Sequence, residues 1–317
     1  MIVIACPGQG SQTPGFLSEW LKDASSAAWL REVSEQIGID LVQHGTESDA
    51  ETIRATNIAQ PLIVAAGVLT INKLNSELDR LDPTLAQKIK EQLVFAGHSV
   101  GEITAAYGAG IFDAETAVRF VSLRANEMQK CAAVAETGMA AVLGGEENTV
   151  LEKLTEHGLA PANYNGGGQI VAAGLVTGVK ALTADPPEKA RVIPLQVAGA
   201  FHTEVMSGAR ETLSANRNQF AANDPVYPIL TNKDGSAVTS GKEYLDLLVH
   251  QVAAPVRWDL CMKTLAEQGA KLFVECAPSG ALAGLARRGL NGVQTEKINS
   301  PDDVTAFVAE LASTAAA

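Results

Sequence analysis

Only four cysteines occur in the 317 residues, Cys6, Cys131, Cys261 and Cys276, and no two stand at the spacing of a metal site or a redox pair. That argues against a disulfide scaffold and for reduced, mostly buried thiols in a reducing compartment, which we expect to be the cytoplasm. Positive charge is scarce too: 24 lysines and arginines face 36 acidic residues, for a formal net charge of −12. Nucleic acid, itself a polyanion, is therefore not an expected partner. Long apolar runs are missing. The longest nearly unbroken one, residues 61–71, is too short to span a bilayer, so no membrane is expected. Residues 2–6 end in a cysteine but lack the basic start and extended apolar stretch of a secretion signal, and read as a buried first strand. No internal repeat or low-complexity segment appears. What is present, 46% hydrophobic and 19% charged residues, is ample for one large domain or two modest ones.

One stretch organises the rest. Leu93-Val94-Phe95-Ala96 is an apolar run of the kind that forms a buried parallel strand, and it ends in Gly97-His98-Ser99-Val100-Gly101 before a helix-forming segment. Gly-x-Ser-x-Gly alone turns up in ordinary surface turns. Between a strand and a helix it becomes a nucleophile elbow, a sharp bend that lifts the serine hydroxyl out of the sheet. Glycine is required two positions either side of Ser99 because side chains there would collide. The helix that follows aims its free N–H groups at any oxyanion formed at Ser99.

Taken in order, residues 2–6 lead into the Gly-rich loop Pro7-Gly8-Gln9-Gly10-Ser11-Gln12, which lacks the third glycine of a dinucleotide site. A loop in that place can instead bring a backbone N–H to another strand's nucleophile. Helices are expected over 16–21, 27–37 and 60–78, the last with Pro61 in its first turn and a deeply buried, Ala-rich face. Residues 75–92 read as a polar surface connection. After the elbow helix, Asp113 caps a helix to about residue 128. Arg124 lies in its apolar stretch and so needs an anionic partner, either a structural carboxylate or a substrate carboxylate. Arg119 reads as solvated. Residues 131–197 give strand, helix, two strands, helix and strand, the ferredoxin-like order, and look inserted because elements of the first kind resume afterwards. Further helices are expected to about 220 and over 244–249, 256–268 and 281–289, with strands at 228–231 and 271–276. Residues 312–317 are expected to fray.

A serine hydroxyl needs a base. His98 adjoins Ser99 and would point away from it as a packing residue, and His44 and His157 lie in polar segments. His202, in Ala200-Phe201-His202-Thr203, comes far downstream at the mouth of a helix, where a base is expected, although a satisfied structural histidine would fit the same spacing. No acid occupies an obvious strand-end loop between Ser99 and His202. A backbone carbonyl can do that work by accepting Nδ1–H and fixing the tautomer.

Together GHSVGE, PGQGSQ near the amino end, a helical arginine some two dozen residues past the serine, NYNGGGQIVAAG and AFHT resemble the malonyl-CoA:acyl carrier protein transacylases and the related acyltransferase domains of fatty acid and polyketide synthases. The likeness covers nearly the whole chain. It implies an α/β-hydrolase-like large subdomain with a parallel sheet, here 1–130 and 198–317, and an inserted ferredoxin-like small subdomain, 131–197. It further implies Ser99 as the acylated nucleophile and His202 as the base, with the backbone N–H groups of Gln9 and Val100 as the oxyanion hole. Arg124 would grip the malonyl carboxylate, Asn163 and Phe201 would line the cleft, and the Gln251 carbonyl would orient His202. The implied activity is transfer of malonyl from malonyl-CoA to acyl carrier protein by a monomer, with no metal or other cofactor. Gly166-Gly167 replaces a more usual Ser-Pro, and Ala277-Pro278-Ser279 replaces Gly-Pro-Gly; neither change removes a catalytic group. Phe201 and Val100 match malonyl-selecting members, although a single methyl group supports discrimination of only about 1–3 kcal/mol. A serine hydrolase shares the elbow but usually has an acidic third member, and a turnover-free scaffold would have no use for Ser99, His202 and Arg124 together.

Overall fold

The first apolar run folds into the strand β1 (Ile2–Cys6), buried along its whole length. The computed structural model describes residues 1–197 and 199–316; Ala198, which opens the second stretch of the expected large subdomain, and Ala317, at the end expected to fray, lie outside the described residues. A helical layer follows as α1 (Ala24–Ile37), α2 (Leu41–Thr46), α3 (Thr56–Leu78) and α4 (Pro83–Lys90), and the chain re-enters the sheet as β2 (Leu93–Gly97). The helices α5 (Gly101–Gly108) and α6 (Ala114–Ala132) come next, the latter capped by Asp113, whose side chain accepts the Thr116 N–H at 2.7 Å.

Three expectations for this half need correction. Residues 16–21 form turns and a short 3-10 segment, Trp20–Lys22, which lets Trp20 bury its ring and donate from Nε1 to the Asn299 carbonyl at 3.0 Å. The long helix starts at Thr56, so Pro61 sits inside it and the Asn57 carbonyl gives up its helical partner. Burial outweighs that loss, because α3 is apolar nearly all round; by length and composition it could cross a membrane, yet 78% of its apolar window is buried inside the fold. The polar stretch 75–92 contains α4, started by the Asp82 side chain accepting N–H from Thr84 and Leu85 at 3.0 and 3.2 Å, with Pro83 in the first turn.

The middle of the chain runs β3 (Thr137–Gly144), α7 (Glu147–Glu156), β4 (Ala160–Gly166), β5 (Gln169–Leu175), α8 (Val176–Ala184) and β6 (Ala190–Pro194). Its strands lie in the order β6-β3-β5-β4, every neighbour antiparallel, as a ferredoxin-like unit requires. The remainder is α9 (Ser207–Asn216), α10 (Gly241–Gln251), β7 (Val256–Arg257), α11 (Trp258–Glu267), β8 (Leu272–Glu275), α12 (Ala281–Gly289), β9 (Gln294–Lys297) and α13 (Pro301–Ala316). The segment expected as one helix over 256–268 thus begins as β7, which pairs parallel with β4 and adds a fifth strand to the small sheet from outside 131–197. Residues 228–231 make only isolated bridges, to Phe95 and Ala237, since Pro228 has no N–H to extend a ladder. The carboxyl end stays helical through Ala316, in keeping with the high helix propensity of alanine.

The large sheet has the order β2-β1-β8-β9, all parallel. Alternation along β1 divides two cores: Ile2, Ile4 and Cys6 face α3, α5 and α6, while Val3 and Ala5 face Trp258, Leu265 and Leu282 of α11 and α12. The small sheet splits likewise, Ala140 and Val142 packing under α7 and α8 and Met139 joining the large core. A parallel sheet covered on both faces presents its strand ends as the natural place for a site, and β2 ends at Gly97.

Candidate active site

The turn leaving β2 is as tight as its glycines suggest. A Cβ on Gly97 would lie inside the backbone of Gly101 and Glu102, and one on Gly101 would meet the Cys6 carbonyl. Ser99 between them has φ of 54°, in the left-handed region that non-glycine residues rarely occupy. Its backbone N–H is tied down by Asn232 Oδ1 at 2.8 Å, and Asn232 Nδ2 donates back to the Gly97 carbonyl at 2.7 Å. The bend is therefore clamped from both sides, and the hydroxyl is presented at the strand end.

His202 comes to that hydroxyl from the far end of the sequence. It too has positive φ, 60°, is buried, and donates its backbone N–H to the Val252 carbonyl at 3.1 Å. Its Nε2 lies 2.6 Å from Ser99 Oγ and its Nδ1 2.8 Å from the Gln251 carbonyl oxygen. A carbonyl only accepts, so Nδ1 carries the proton and Nε2 is left free to take one from Ser99. Burial, with the positive charge of Arg124 second, pushes the imidazole down to about 3, so it is neutral near pH 7.

Arg124 arrives from α6 and is 1% exposed. Nη1 donates to Gln60 Oε1 at 2.6 Å; Nη2 donates to Gln251 Oε1 at 2.9 Å and to Ser99 Oγ at 3.3 Å. Among the described residues no carboxylate lies within ion-pair distance of it. Burial lowers the guanidinium to about 9, against the opposing pull of Glu102, so it stays charged at neutral pH. A buried cation whose direct partners among the described residues are amide and hydroxyl oxygens is prepared for an incoming anion.

Not every expected residue meets at Ser99. Val100 stands at the start of α5 and Gln9 in the loop after β1; among the described residues neither backbone N–H donates to a protein acceptor, while the Gln9 side chain donates to the Arg54 carbonyl at 3.3 Å. Phe201 is buried beside the base. Among the described residues Asn163 makes no side-chain hydrogen bond to Ser99 or His202, and its buried Oδ1 has no hydrogen-bond partner. Two residues on, Asn165 Oδ1 lies 2.8 Å from His98 Nε2, and His98 sets its edge against Trp258, which makes it the packing residue expected. The other histidines are elsewhere: His44 bonds Ser48, His157 neighbours Asp185, and His250 is exposed. Arg119 lies over the Phe220 ring near Glu115 at the surface.

Three further residues hold the site together. Sequence reasoning passed over Gln60, although an amide at the head of the apolar stretch of α3 was a signal that could have found it. Sequence reasoning passed over Glu102 as well, although an acid in the first turn of an apolar helix was a signal that could have found it; Asn232 gave no sign. Glu102, 1% exposed, accepts the Asn232 backbone N–H at 2.6 Å and the Gln251 side-chain amide, and burial raises its carboxyl to about 8. A cavity of about 500 Å³ borders this network at Glu102, Asn232 and Gln251, with Tyr164, His250 and Arg257 in its wall; Ser99 and His202 do not line it. A serine hydroxyl bonded to a neutral imidazole, next to a buried cation and free N–H groups, can accept and pass on an acyl group that carries a negative charge.

Comparison with known proteins agrees with that chemistry. The acyl transferase domain family matches residues 3–310. The malonyl CoA-acyl carrier protein transacylase of Mycobacterium tuberculosis is 45% identical over 304 residues, covering 96% of this chain and 98% of that protein. The crystal structure of MCAT from Mycobacterium tuberculosis superposes with a TM-score of 0.90 at 44% identity, over 98% of this chain and 99% of that one. A malonyl-transacylase solved in complex with a type II PKS acyl-carrier protein matches with a TM-score of 0.85 at 26% identity, over 98% of this chain and 99% of that one. With a likeness that runs from the first strand to the last helix, the chain belongs to the acyl transferase domain family and, within it, to the malonyl CoA-acyl carrier protein transacylases.

Proposed function

We propose that this chain moves a malonyl group from malonyl-CoA to the phosphopantetheine thiol of acyl carrier protein through a malonyl ester on Ser99, supplying extender units for fatty acid synthesis and for polyketide synthesis where such a carrier is present. The observation that carries this reading is the meeting of three side chains at one atom: Ser99 Oγ is 2.6 Å from His202 Nε2 and 3.3 Å from Arg124 Nη2. Ser99 Oγ attacks the thioester carbon as its proton passes to His202 Nε2. The carbonyl oxygen becomes an oxyanion that receives the N–H groups of Gln9 and Val100; one such preorganised donor contributes about 10²–10³-fold in rate. Collapse breaks the C–S bond, and the proton on Nε2 leaves with the CoA sulfur. In the second half the carrier thiol gives its proton to Nε2, its sulfur attacks the ester carbon, and Ser99 departs with that proton. No electrons are gained or lost, so the steps call for no metal or redox cofactor.

Arg124 binds the malonyl carboxylate, to which a planar guanidinium is well matched for bidentate contact. Its lack of a carboxylate partner among the described residues supports that role. The Gln251 carbonyl orients His202 in place of an acid. Asn163, with its unpartnered oxygen, and Phe201 complete the acyl pocket between the catalytic subdomain, 1–130 with 198–317, and the inserted one, 131–197. All these groups come from one chain, which supports a monomer, and the four free cysteines support a reducing, cytoplasmic setting. Carrier protein docks, in this reading, on exposed Lys180, Lys189 and Arg191 of the small subdomain and Arg287 and Arg288 of α12. Charge reversal there raises KM for the carrier and leaves malonyl-CoA unaffected. The deciding experiment is incubation with radiolabelled malonyl-CoA and holo carrier. Label passes through Ser99 to the carrier and is absent in Ser99→Ala; free malonate in place of malonyl-carrier would mean a hydrolase, and an unlabelled wild type a scaffold.

A further inference from the structure

The acyl-transfer reading accounts for the groups at Ser99 but leaves unused a cavity of about 560 Å³, bordered by the head of α3, the tail of α6 and residues 195–197. We propose that Arg54, in the wall of that cavity, binds the phosphate at the outer end of the pantetheine arm, the one anionic group that coenzyme A and the carrier's prosthetic group share. The inference rests on the malonyl-transfer reading above.

The walls of the cavity continue into the site. One turn along α3 from Thr56 in the wall, Gln60 Oε1 accepts from Arg124 Nη1 at 2.6 Å. Helix α6 gives Gln129 and Ala132 to the wall and Arg124 to the site, and Gln129 Oε1 ties it to α3 by accepting the Asn57 backbone N–H at 3.0 Å. Ala132 packs on the main chain just ahead of the base: a Cβ on Gly199 would lie 2.9 Å from the Ala132 Cβ. The Arg54 carbonyl takes the Gln9 side chain at 3.3 Å. The cavity thus flanks the approach to Ser99, although Ser99 and His202 do not line it. That offset suits a phosphate, because the arm is long and only its thiol end has to reach the serine.

Charge decides what such a wall can hold. The chain carries a net charge of −12 and its donors are anions, so long-range attraction does not gather them and a local cation must. Among the described residues Arg54 is the one cation lining the cavity and Glu51 the one acid. Arg54 is exposed and makes no ion pair among the described residues, so its fork of donors is not spent on a protein carboxylate. A guanidinium fork matches two oxygens of one phosphate. Without it Glu51 would leave the cavity negative and repel the arm. Gln9 is held by the main chain of Arg54, so a change of the Arg54 side chain spares the Gln9 loop.

The test follows single-turnover acylation of Ser99 at varied concentrations of malonyl-CoA, malonyl-phosphopantetheine and malonyl-pantetheine, which ends in a hydroxyl. Wild type, Arg54→Gln and Arg54→Lys are compared. In Arg54→Gln the half-saturating concentration of the two phosphate-bearing donors rises about tenfold, the effect of losing one charge-assisted hydrogen bond. The limiting rate is unchanged, because a contact so far from the reacting carbon is the same in the ground and transition states. Malonyl-pantetheine behaves as in wild type, Arg54→Lys recovers most of the affinity, and KM for holo carrier rises in Arg54→Gln as it does for the phosphate-bearing donors. An unchanged value for malonyl-phosphopantetheine or for carrier overturns the proposal, and a rise for malonyl-CoA alone would move Arg54 to the nucleotide end. An equal rise for malonyl-pantetheine overturns it too, since that is the mark of a merely structural residue. A wild type that forms no malonyl-Ser99 from any donor would overturn the function reading instead.

Discussion

Replacing Arg124 with alanine should separate the two jobs that meet at Ser99. Arg124 Nη2 sits 3.3 Å from the serine oxygen, and among the described residues the guanidinium bonds directly only to amide oxygens and that hydroxyl. A malonyl carboxylate arriving there gains a buried, charge-assisted pair, and removing one member of such a pair costs about 3–5 kcal/mol. At about 1.4 kcal/mol per tenfold, that range corresponds to about 10²–10⁴ in kcat/KM. Water entering the vacated guanidinium space hydrates the carboxylate in part, which sets the expectation for malonyl-CoA at about 10²–10³-fold. Acetyl-CoA has no carboxylate to lose. The variant also removes a positive charge that holds His202 down, so acetyl acylation should be equal to wild type or faster. The assay is rapid quench with mass detection of the acyl-serine for both thioesters. Malonyl loading that falls less than acetyl loading, or equal losses in both, would refute the assignment.

The same electrostatic coupling predicts a difference between two pH profiles. In the free enzyme Arg124 helps hold His202 near 3, but a bound malonyl carboxylate neutralises that charge and raises the imidazole. The acid limb of malonyl acylation at saturation should therefore lie at higher pH than that of kcat/KM, which reports the free enzyme; coincident limbs would mean that the carboxylate binds elsewhere. Stability follows the same group. Unfolded, His202 takes a proton near its ordinary value of 6.5, while folded it resists until about 3, so acidification between those limits favours the unfolded chain. The loss is about 1.4 kcal/mol per pH unit for this one proton. Urea midpoints of His202→Gln should fall less steeply over that window than those of the wild type, and parallel curves would disprove the shift. Gly101→Ala forces a methyl onto the Cys6 carbonyl and should cost at least about 3 kcal/mol, with a matching drop in the midpoint of urea unfolding; an unchanged midpoint would show that the turn can open.

How much of this was legible in the sequence depended on how local the cause is. β2, the elbow and α5 were readable because a strand, two glycines and a helix-forming run act within a dozen residues. The small unit was readable almost element by element, since its strands alternate and its helices are bounded by turns. α4 was missed although Asp82-Pro83 is a helix start, because polar composition drew attention from the cap. β9, Gln-Thr-Glu-Lys, is a polar edge strand with no apolar alternation to betray it. The site divides in the same way. Ser99, Arg124 and His202 carry side chains whose chemistry is unusual for their surroundings. The bonds from Glu102 to Asn232 and Gln251 join residues 130 and 149 positions apart, and no periodicity encodes such a meeting.

The short strand Val256–Arg257 has a meaning for how the molecule can be divided and how it can move. Because it zips onto β4 through Asn163 and Tyr164, the inserted unit is sewn to the rest by main-chain hydrogen bonds as well as by its two chain crossings. Cut out alone, residues 131–197 would bare that seam as a sticky edge and invite self-association. In the intact protein the same stitch ties β4 to β7 and so resists a jaw-like parting of the small sheet from the strand that leads into α11.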